Sequence, residues 1–512
     1  MTHPRKYPLL ALILFSLGAC LILGPRPALS VEGAVRVTVQ EAVLMALENN
    51  RALTVERLNP EIQKTFEDEE EAVFDPVLNT ELSAQRAEAE RLARTGSGTE
   101  TFTTDIYEGT ISLEKFFSSG TTLEIEGSGT TTDSSLYRDS FSSSRLGLTV
   151  AQALLRGYGT EVNLARLRQA QFETSISQYE LRGFSEALVA DVETTYWDFA
   201  LAQRQMEIVE ESLKLAEQQL RDTEEMIRVG KLAEAELVAV QAEVAAQRQG
   251  LINARSDLES TRLRLLRLLN PAGDDLWGRD VTLLHEPILP EVKLDEVELH
   301  VAVAKRMRPE LNQARLNILQ EKLELVRTKN GLLPVMDLFI QLGKTGYAES
   351  FGGSITDITG GDGYDLLAGI NFKYPFRNRD AKARYERSLR RSDQAENGLS
   401  NLSQLVELDV RTAYIEVNRA REQISASAAT RILDEEKLRV ETEKFRVGRS
   451  TNFLVAQAQR DLLLSRIAEV QAVANYLKAL VELFRLDGSL LERRGIRAPG
   501  REPVELPSDS KD

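Results

Sequence analysis

The sequence predicts a mainly α-helical chain with membrane-spanning β-strands, in which two repeats each supply a long helical hairpin and a strand pair. Three observations predict it: landmarks that recur in order, long proline-free runs with apolar residues every seventh position, and an alternating segment bounded by tyrosines.

The landmarks come first. Asn50-Arg51-Ala52-Leu53 precedes Pro76-Val77-Leu78, and Arg308-Pro309-Glu310-Leu311 precedes Pro334-Val335-Met336, with leucine and proline 23 residues apart in both copies and the copies 258 apart. Farther on, Asp191-Val192-Glu193-Thr194-Thr195-Tyr196 matches Asp409-Val410-Arg411-Thr412-Ala413-Tyr414, and Val229-Gly230-Lys231 matches Val447-Gly448-Arg449, both at an offset of 218. The fall from 258 to 218 places 40 extra residues in the first copy, between its proline and its long helix. The chain thus divides into a first repeat over 36–290, a second over 291–490 and a polar tail over 491–512.

No proline occurs from Val77 to Asn270 or from Phe376 to Ala498. Val192, Phe199, Met206, Leu213, Leu220 and Ile227 recur every seven residues, with Thr195, Ala202, Val209, Ala216 and Thr223 three positions behind. That is a coiled-coil seam whose small residues let backbones approach closely. Val410, Val417, Ile424, Leu438 and Phe445 repeat it in the second copy, interrupted once at Arg431. The first long hairpin covers 159–269 and the second 378–486, and the outgoing arm of each is roughly 105 Å of helix at 1.5 Å per residue. Gly230 and Gly448 mark the turns, after which Glu234–Leu269 and Asn452–Leu486 run back.

Before each hairpin the period changes to two. Tyr364, Leu366, Ala368, Ile370, Phe372 and Tyr374 alternate with Asp365, Leu367, Gly369, Asn371 and Lys373, as a barrel strand with interfacial aromatics should. Its partner is Val335–Lys344, and Ser350–Gly363 joins the two as an outer loop. In the first copy Val77–Arg86 and Arg145–Gln152 correspond. The extra residues supply a further hairpin within 105–130, Gly109–Phe117 and Thr121–Gly129, turning at Ser118-Ser119-Gly120.

The N-terminus reads as an export signal over residues 1–30: Arg5 and Lys6, then an apolar run from Leu9 to Leu23 too short for a membrane span. Two cleavage readings stay open. Ala28-Leu29-Ser30 suits ordinary signal peptidase, whereas Leu17-Gly18-Ala19-Cys20 resembles a lipobox that would leave Cys20 lipidated. Labelled palmitate lost on Cys20→Ala would establish the second; a mature N-terminus at Val31 would establish the first. A mature chain without a cysteine pair has no disulfide or thiolate metal site. The net charge of −16 excludes a nucleic-acid partner, since no basic face offsets it. His3, His285 and His300 offer no zinc spacing, and Gly343-Lys344-Thr345 lacks the first glycine of a phosphate loop, with Leu338 in its place. Nothing in the sequence supports catalysis or a cofactor.

Together these residues resemble the TolC-like outer-membrane factor family over roughly residues 36–490. Thr38–Leu53 is similar to the family's opening helix and Arg308–Leu311 to its second copy. Leu332-Leu333-Pro334 is similar to the helix-to-strand corner. Tyr374-Pro375-Phe376 is similar to the strand-to-helix corner, for which Gln152-Ala153-Leu154-Leu155 stands in the first copy, with Ala153 where proline is usual. The resemblance implies a homotrimer in outer-membrane lipid. Each protomer would give four strands to a twelve-stranded β-barrel and its hairpins to a periplasmic α-barrel. The extra hairpin departs from that pattern, and two readings of it stay open: outside the bilayer, or in an enlarged barrel. A periplasmic adaptor would link the tip to an inner-membrane pump, making the protein a passive exit duct of an efflux or type I secretion system. It implies adaptor docking at Val229, Gly230, Lys231, Val447, Gly448 and Arg449, and a gate at Glu236; its second-copy counterparts Leu454 and Gln457 are not acidic, which speaks against an acidic aperture ring and leaves Glu236 readable as a solvated helix residue. A periplasmic coiled-coil adaptor or a structural protein remains the alternative, disfavoured by two hairpins and two strand pairs.

Overall fold

A computed structural model describes residues 35–507 apart from 94–95, 138, 274 and 286–293. The export signal and Cys20 lie outside the described residues. The chain opens with β1 (Val35–Val37), α1 (Val39–Asn49), α2 (Arg51–Glu56) and α3 (Leu58–Glu71). Thr38 and Glu41 close a capping box on α1, and the Asn50 side chain accepts from the amides of Ala52 and Leu53 to start α2. Four strands follow: β2 (Val77–Leu92), β3 (Thr99–Phe117), β4 (Thr121–Ser134) and β5 (Phe141–Ala153). A short α4 (Thr160–Asn163) leads into α5 (Ala165–Arg228), which α6 (Glu236–Leu269) retraces before β6 (Val281–Leu283) pairs in parallel with β1. The second half repeats the order: α7 (Val297–Met307), α8 (Pro309–Asn330), β7 (Val335–Ala348), α9 (Phe351–Gly360), β8 (Tyr364–Lys373), α10 (Arg379–Arg446) and α11 (Asn452–Leu486), with α12 (Leu490–Arg493) last.

The four long helices lie side by side in the order α6-α5-α11-α10, so the two hairpins meet along α5 and α11. The heptad positions are most tightly packed away from the tips, where Val192 of α5 and Val410 and Val417 of α10 are wholly buried and Phe199 nearly so, whereas Met206, Leu213, Leu220 and Ile227 are half-buried. The interruption at Arg431 is an ion pair, since its guanidinium meets Glu469 of α11 at 2.7 Å. At 64 and 68 residues, α5 and α10 each reach about 100 Å.

Three sequence expectations change. Ser350–Gly363 is not simply a loop, because α9 occupies most of it. Gly352 and Gly353 disfavour a helix, but Ser350 caps the Gly353 amide and the helix packs on β5 and β7 through small residues. Ser144 and Ser354 hydroxyls meet at 2.7 Å, and a Cβ on Gly346 would lie 2.1 Å from the Ser354 carbonyl. Next, the implied four strands are six, in one antiparallel sheet ordered β2-β3-β4-β5-β7-β8. The extra hairpin is longer than its apolar alternation suggests and sits inside the sheet, between β2 and β5.

The polar tail is also more than a tail. Arg182 of α5, 1% exposed, donates to Glu186 (3.1 Å), Glu492 (2.8 Å) and the carbonyls of Gly488 (3.2 Å) and Gly500 (3.3 Å). Arg494 grips buried Glu193 with two bonds of 2.5 and 2.7 Å, and the Val504 amide reaches Asn312 of α8 at 2.9 Å. The segment after α11 is a belt joining both repeats. Burial pushes the Glu186 carboxyl up to about 7, with Arg182 opposing the rise. Its folded value exceeds its ordinary 4.5, so its contribution to stability is full below about 4.5 and is lost as pH rises through about 7. Glu186→Gln should flatten stability against pH across that window, read by urea titration at a series of pH values. An unchanged slope would assign the pH dependence elsewhere.

Candidate functional site: hairpin tips and strand wall

The two hairpin tips are built alike. Beyond α5, Gly230 takes φ +70°, its amide donating to Ile227 (2.9 Å) and that of Lys231 to Met226 (2.8 Å). Beyond α10, Gly448 takes φ +74°, its amide donating to Phe445 (2.9 Å) and that of Arg449 to Lys444 (2.8 Å). These paired bonds satisfy the last helical carbonyls only if the intervening residue is left-handed, which is why glycine stands there twice. Val229 and Val447 are 56% and 69% exposed beside them, with Lys231 and Arg449 exposed next in line. Each tip therefore presents an apolar residue and a cation to solvent. Just behind the second tip, Lys444 and Ser450 hold the Glu441 carboxyl below the usual range.

Glu236 does not stand alone. Its carboxylate accepts from the backbone amide of Asn452 at 3.3 Å, so the first residue of α6 caps the first turn of α11. Asn452 is fully buried and its side-chain oxygen accepts from Gln219 (2.9 Å) and Thr223 (3.4 Å) of α5. These bonds pin the two tips together. Leu454 and Gln457, at the corresponding places on α11, are exposed.

Sequence reasoning missed Glu243, two turns along α6. It is 3% exposed, accepts from Gln247 (2.8 Å), and pairs with Arg460 of α11 at 2.6 Å. Its place in the 218 register is taken by Asp461, which pairs with Lys437 at 2.6 Å; that doubled acid was the available signal. Removing Arg460 leaves a buried carboxylate short of its cation. Arg460→Ala should therefore cost about 1–3 kcal/mol, and Glu243→Gln should recover most of it. Thermal unfolding of the single and double variants checks this.

The strand wall separates its chemistry by face. One register row reads Leu78, Leu113, Ile125, Leu148, Leu342 and Leu366 across all six strands. The next row, on the opposite face, reads Asn79, Ser112, Glu126, Gly147, Gly343 and Asp365. On that polar face Arg145 bridges Glu126 (3.7 Å) and Asp365 (2.8 Å). The apolar face is open, with Leu78 at 64% and Leu366 at 64% exposed. An unpaired apolar sheet face of this extent, backed by carboxylates, fits lipid outside and water inside. Among the described residues no helix is long and apolar enough to cross a membrane, and no group of three or more acidic, histidine or cysteine residues could hold a metal. His300 is instead committed to Asp487, 2.7 Å away and equally buried.

The family of outer membrane efflux proteins matches the sequence over residues 119–271 and 302–489. No curated protein is a significant sequence match. Among solved structures, the fold is similar to the CmeC outer membrane channel of Campylobacter jejuni, at 15% identity over 88% of this chain and 86% of that one, with TM-score 0.66. The outer-membrane channel OprN matches at 16% over 88% and 90%, with TM-score 0.65. The MtrE outer membrane channel of Neisseria gonorrhoeae, in its open state, matches at 16% over 88% and 89%, with TM-score 0.60. At such identities these three likenesses speak for the fold.

Proposed function

The chain belongs to the outer membrane efflux protein family, and from that premise we propose that three copies assemble into one continuous passive duct, opened from its periplasmic end. The protein is an outer-membrane efflux channel with its long helices in the periplasm. The observation that carries the assembly is the open sheet. β2 and β8 are unpaired edges flanking an apolar face, and backbone groups cannot be left unpaired in hydrocarbon, so other copies must complete the wall. The outer helices support the same reading: α6 exposes Ile252 (68%) and α10 exposes Leu408 (60%) and Ile415 (67%), apolar stripes that neighbouring copies would cover. A periplasmic adaptor would dock at the tips, over Val229-Gly230-Lys231 and Val447-Gly448-Arg449, and an inner-membrane pump acting through it would supply the energy. A freestanding adaptor or structural coiled coil would have no use for the apolar strand face.

Lys231→Glu combined with Arg449→Glu tests the docking. Both side chains are exposed, so stability should change little, while charge reversal should weaken a partner held partly by charge. Efflux should fall with the amount of trimer unchanged. Normal efflux and normal adaptor cross-linking would leave the two glycines as helix caps alone.

A further inference from the structure

We propose that the hairpin β3–β4 widens the outer-membrane barrel to eighteen strands, six from each of three copies, giving a portal about 1.5 times the diameter of a twelve-stranded one because diameter grows nearly linearly with strand number. The inference rests on the trimer proposed above. It starts from the sheet order, in which β3 and β4 stand between β2 and β5 with long unbroken registers on both sides. Neither strand can leave the wall without cutting the sheet in two.

Three further observations place the hairpin across the bilayer. Its faces are segregated like those of its neighbours: Ile111, Leu113 and Ile125 point with the apolar rows, while Glu114, Glu124 and Glu126 point with the polar ones. Its turn is fastened at the helical end of the wall. Asn163 donates to the Ser118 carbonyl (3.0 Å), Ala153 to that of Gly120 (2.9 Å), and a Cβ on Gly120, at φ +87°, would lie 2.3 Å from the Gly157 carbonyl. A hairpin tethered there and rising in register with β5 must cross the same thickness of membrane as β5. Lys115, the cation on the apolar face of β3, lies two residues from that end and its ammonium sits 5.5 Å from the Phe117 ring, where a long stem can reach headgroups.

Strand parity agrees with closure. β2 runs outward from the helices and β8 runs back, so β8 of one copy meets β2 of the next antiparallel, as an even number of strands per copy requires. The hairpin also adds Glu108, Glu114, Glu124 and Glu126 to the polar face. The widened portal is thereby lined with carboxylates, a surface suited to bulky neutral or cationic cargo and unfavourable to polyanions.

The test uses the full-length assembled protein in lipid vesicles, with cysteine introduced singly at Leu113, Ile125, Glu114 or Glu124 and the unmodified chain as the blank for Cys20. Leu113→Cys and Ile125→Cys should react with a bilayer-partitioning maleimide and resist a membrane-impermeant one. Glu114→Cys and Glu124→Cys, on the polar face, should react with the impermeant reagent. Electron cryomicroscopy of the same assembly in nanodiscs should count eighteen strands. Impermeant labelling at all four positions, or a twelve-stranded wall, would overturn the proposal. A different number of copies with the labelling pattern intact would overturn the trimer and leave the hairpin in the wall.

Discussion

Replacing Arg182 with alanine should cost about 3–5 kcal/mol, the range expected when one member of a buried ionic cluster is removed and its partners stay behind. The side chain is among the largest fully buried in the protein, and it holds Glu186, Glu492 and two carbonyls at once. Without it Glu186, already disposed to protonate near pH 7, loses the cation that opposes its burial. The loss should therefore be smaller at low pH, where a neutral carboxyl tolerates the apolar site. Arg182→Met, which preserves volume, should remain nearly as destabilised as alanine unless Glu186→Gln accompanies it. Urea titration followed by circular dichroism in detergent would measure all three. A change under 1 kcal/mol for Arg182→Ala would mean that the belt after α11 contributes little to holding the two repeats.

Leu342→Arg should be the most damaging single change in the strand wall. Leu342 lies in the apolar row near the middle of β7, and an arginine facing lipid near the midplane costs about 2–4 kcal/mol. Gln341, its neighbour on β7, faces the other way, so Gln341→Arg should cost nearly nothing in stability. Heat dissociation of the assembled oligomer in lipid would compare them. Equal effects at the two positions would mean that the wall does not divide lipid from water along these rows.

Both variants probe features of different legibility. The alternation of Tyr364–Tyr374 and of Val335–Lys344 is local, a property of each strand alone, and it identifies Leu342 as facing with Leu338 and Ile340 before any partner is known. Arg182 carries no such mark. Apart from Glu186, four residues on, its partners lie some 300 residues away in a segment whose composition reads as solvent-exposed, and only contact with α5 gives Glu492 and Arg494 structural roles.

The tips divide in the same manner. That glycine ends both outgoing helices follows from the Val-Gly doublet and its 218-residue offset, because glycine is the usual occupant of a left-handed cap. That Glu236 reaches the Asn452 amide does not follow, because it depends on how one hairpin is set beside the other.

What the sequence determined by itself was the repeated architecture. Heptad spacing dictates which helical faces must be buried, proline-free length dictates how far they run, and period two dictates strands, all through interactions between residues a few positions apart. Tertiary structure alone decided how those parts are joined. It placed β3–β4 inside the sheet rather than beside it, wound α9 from a glycine-rich loop against β5 and β7, and turned the polar tail into a belt. Each of these depends on hydrogen bonds or ion pairs between segments distant in sequence. Their energies exceed local propensity, and local pattern carries no record of them.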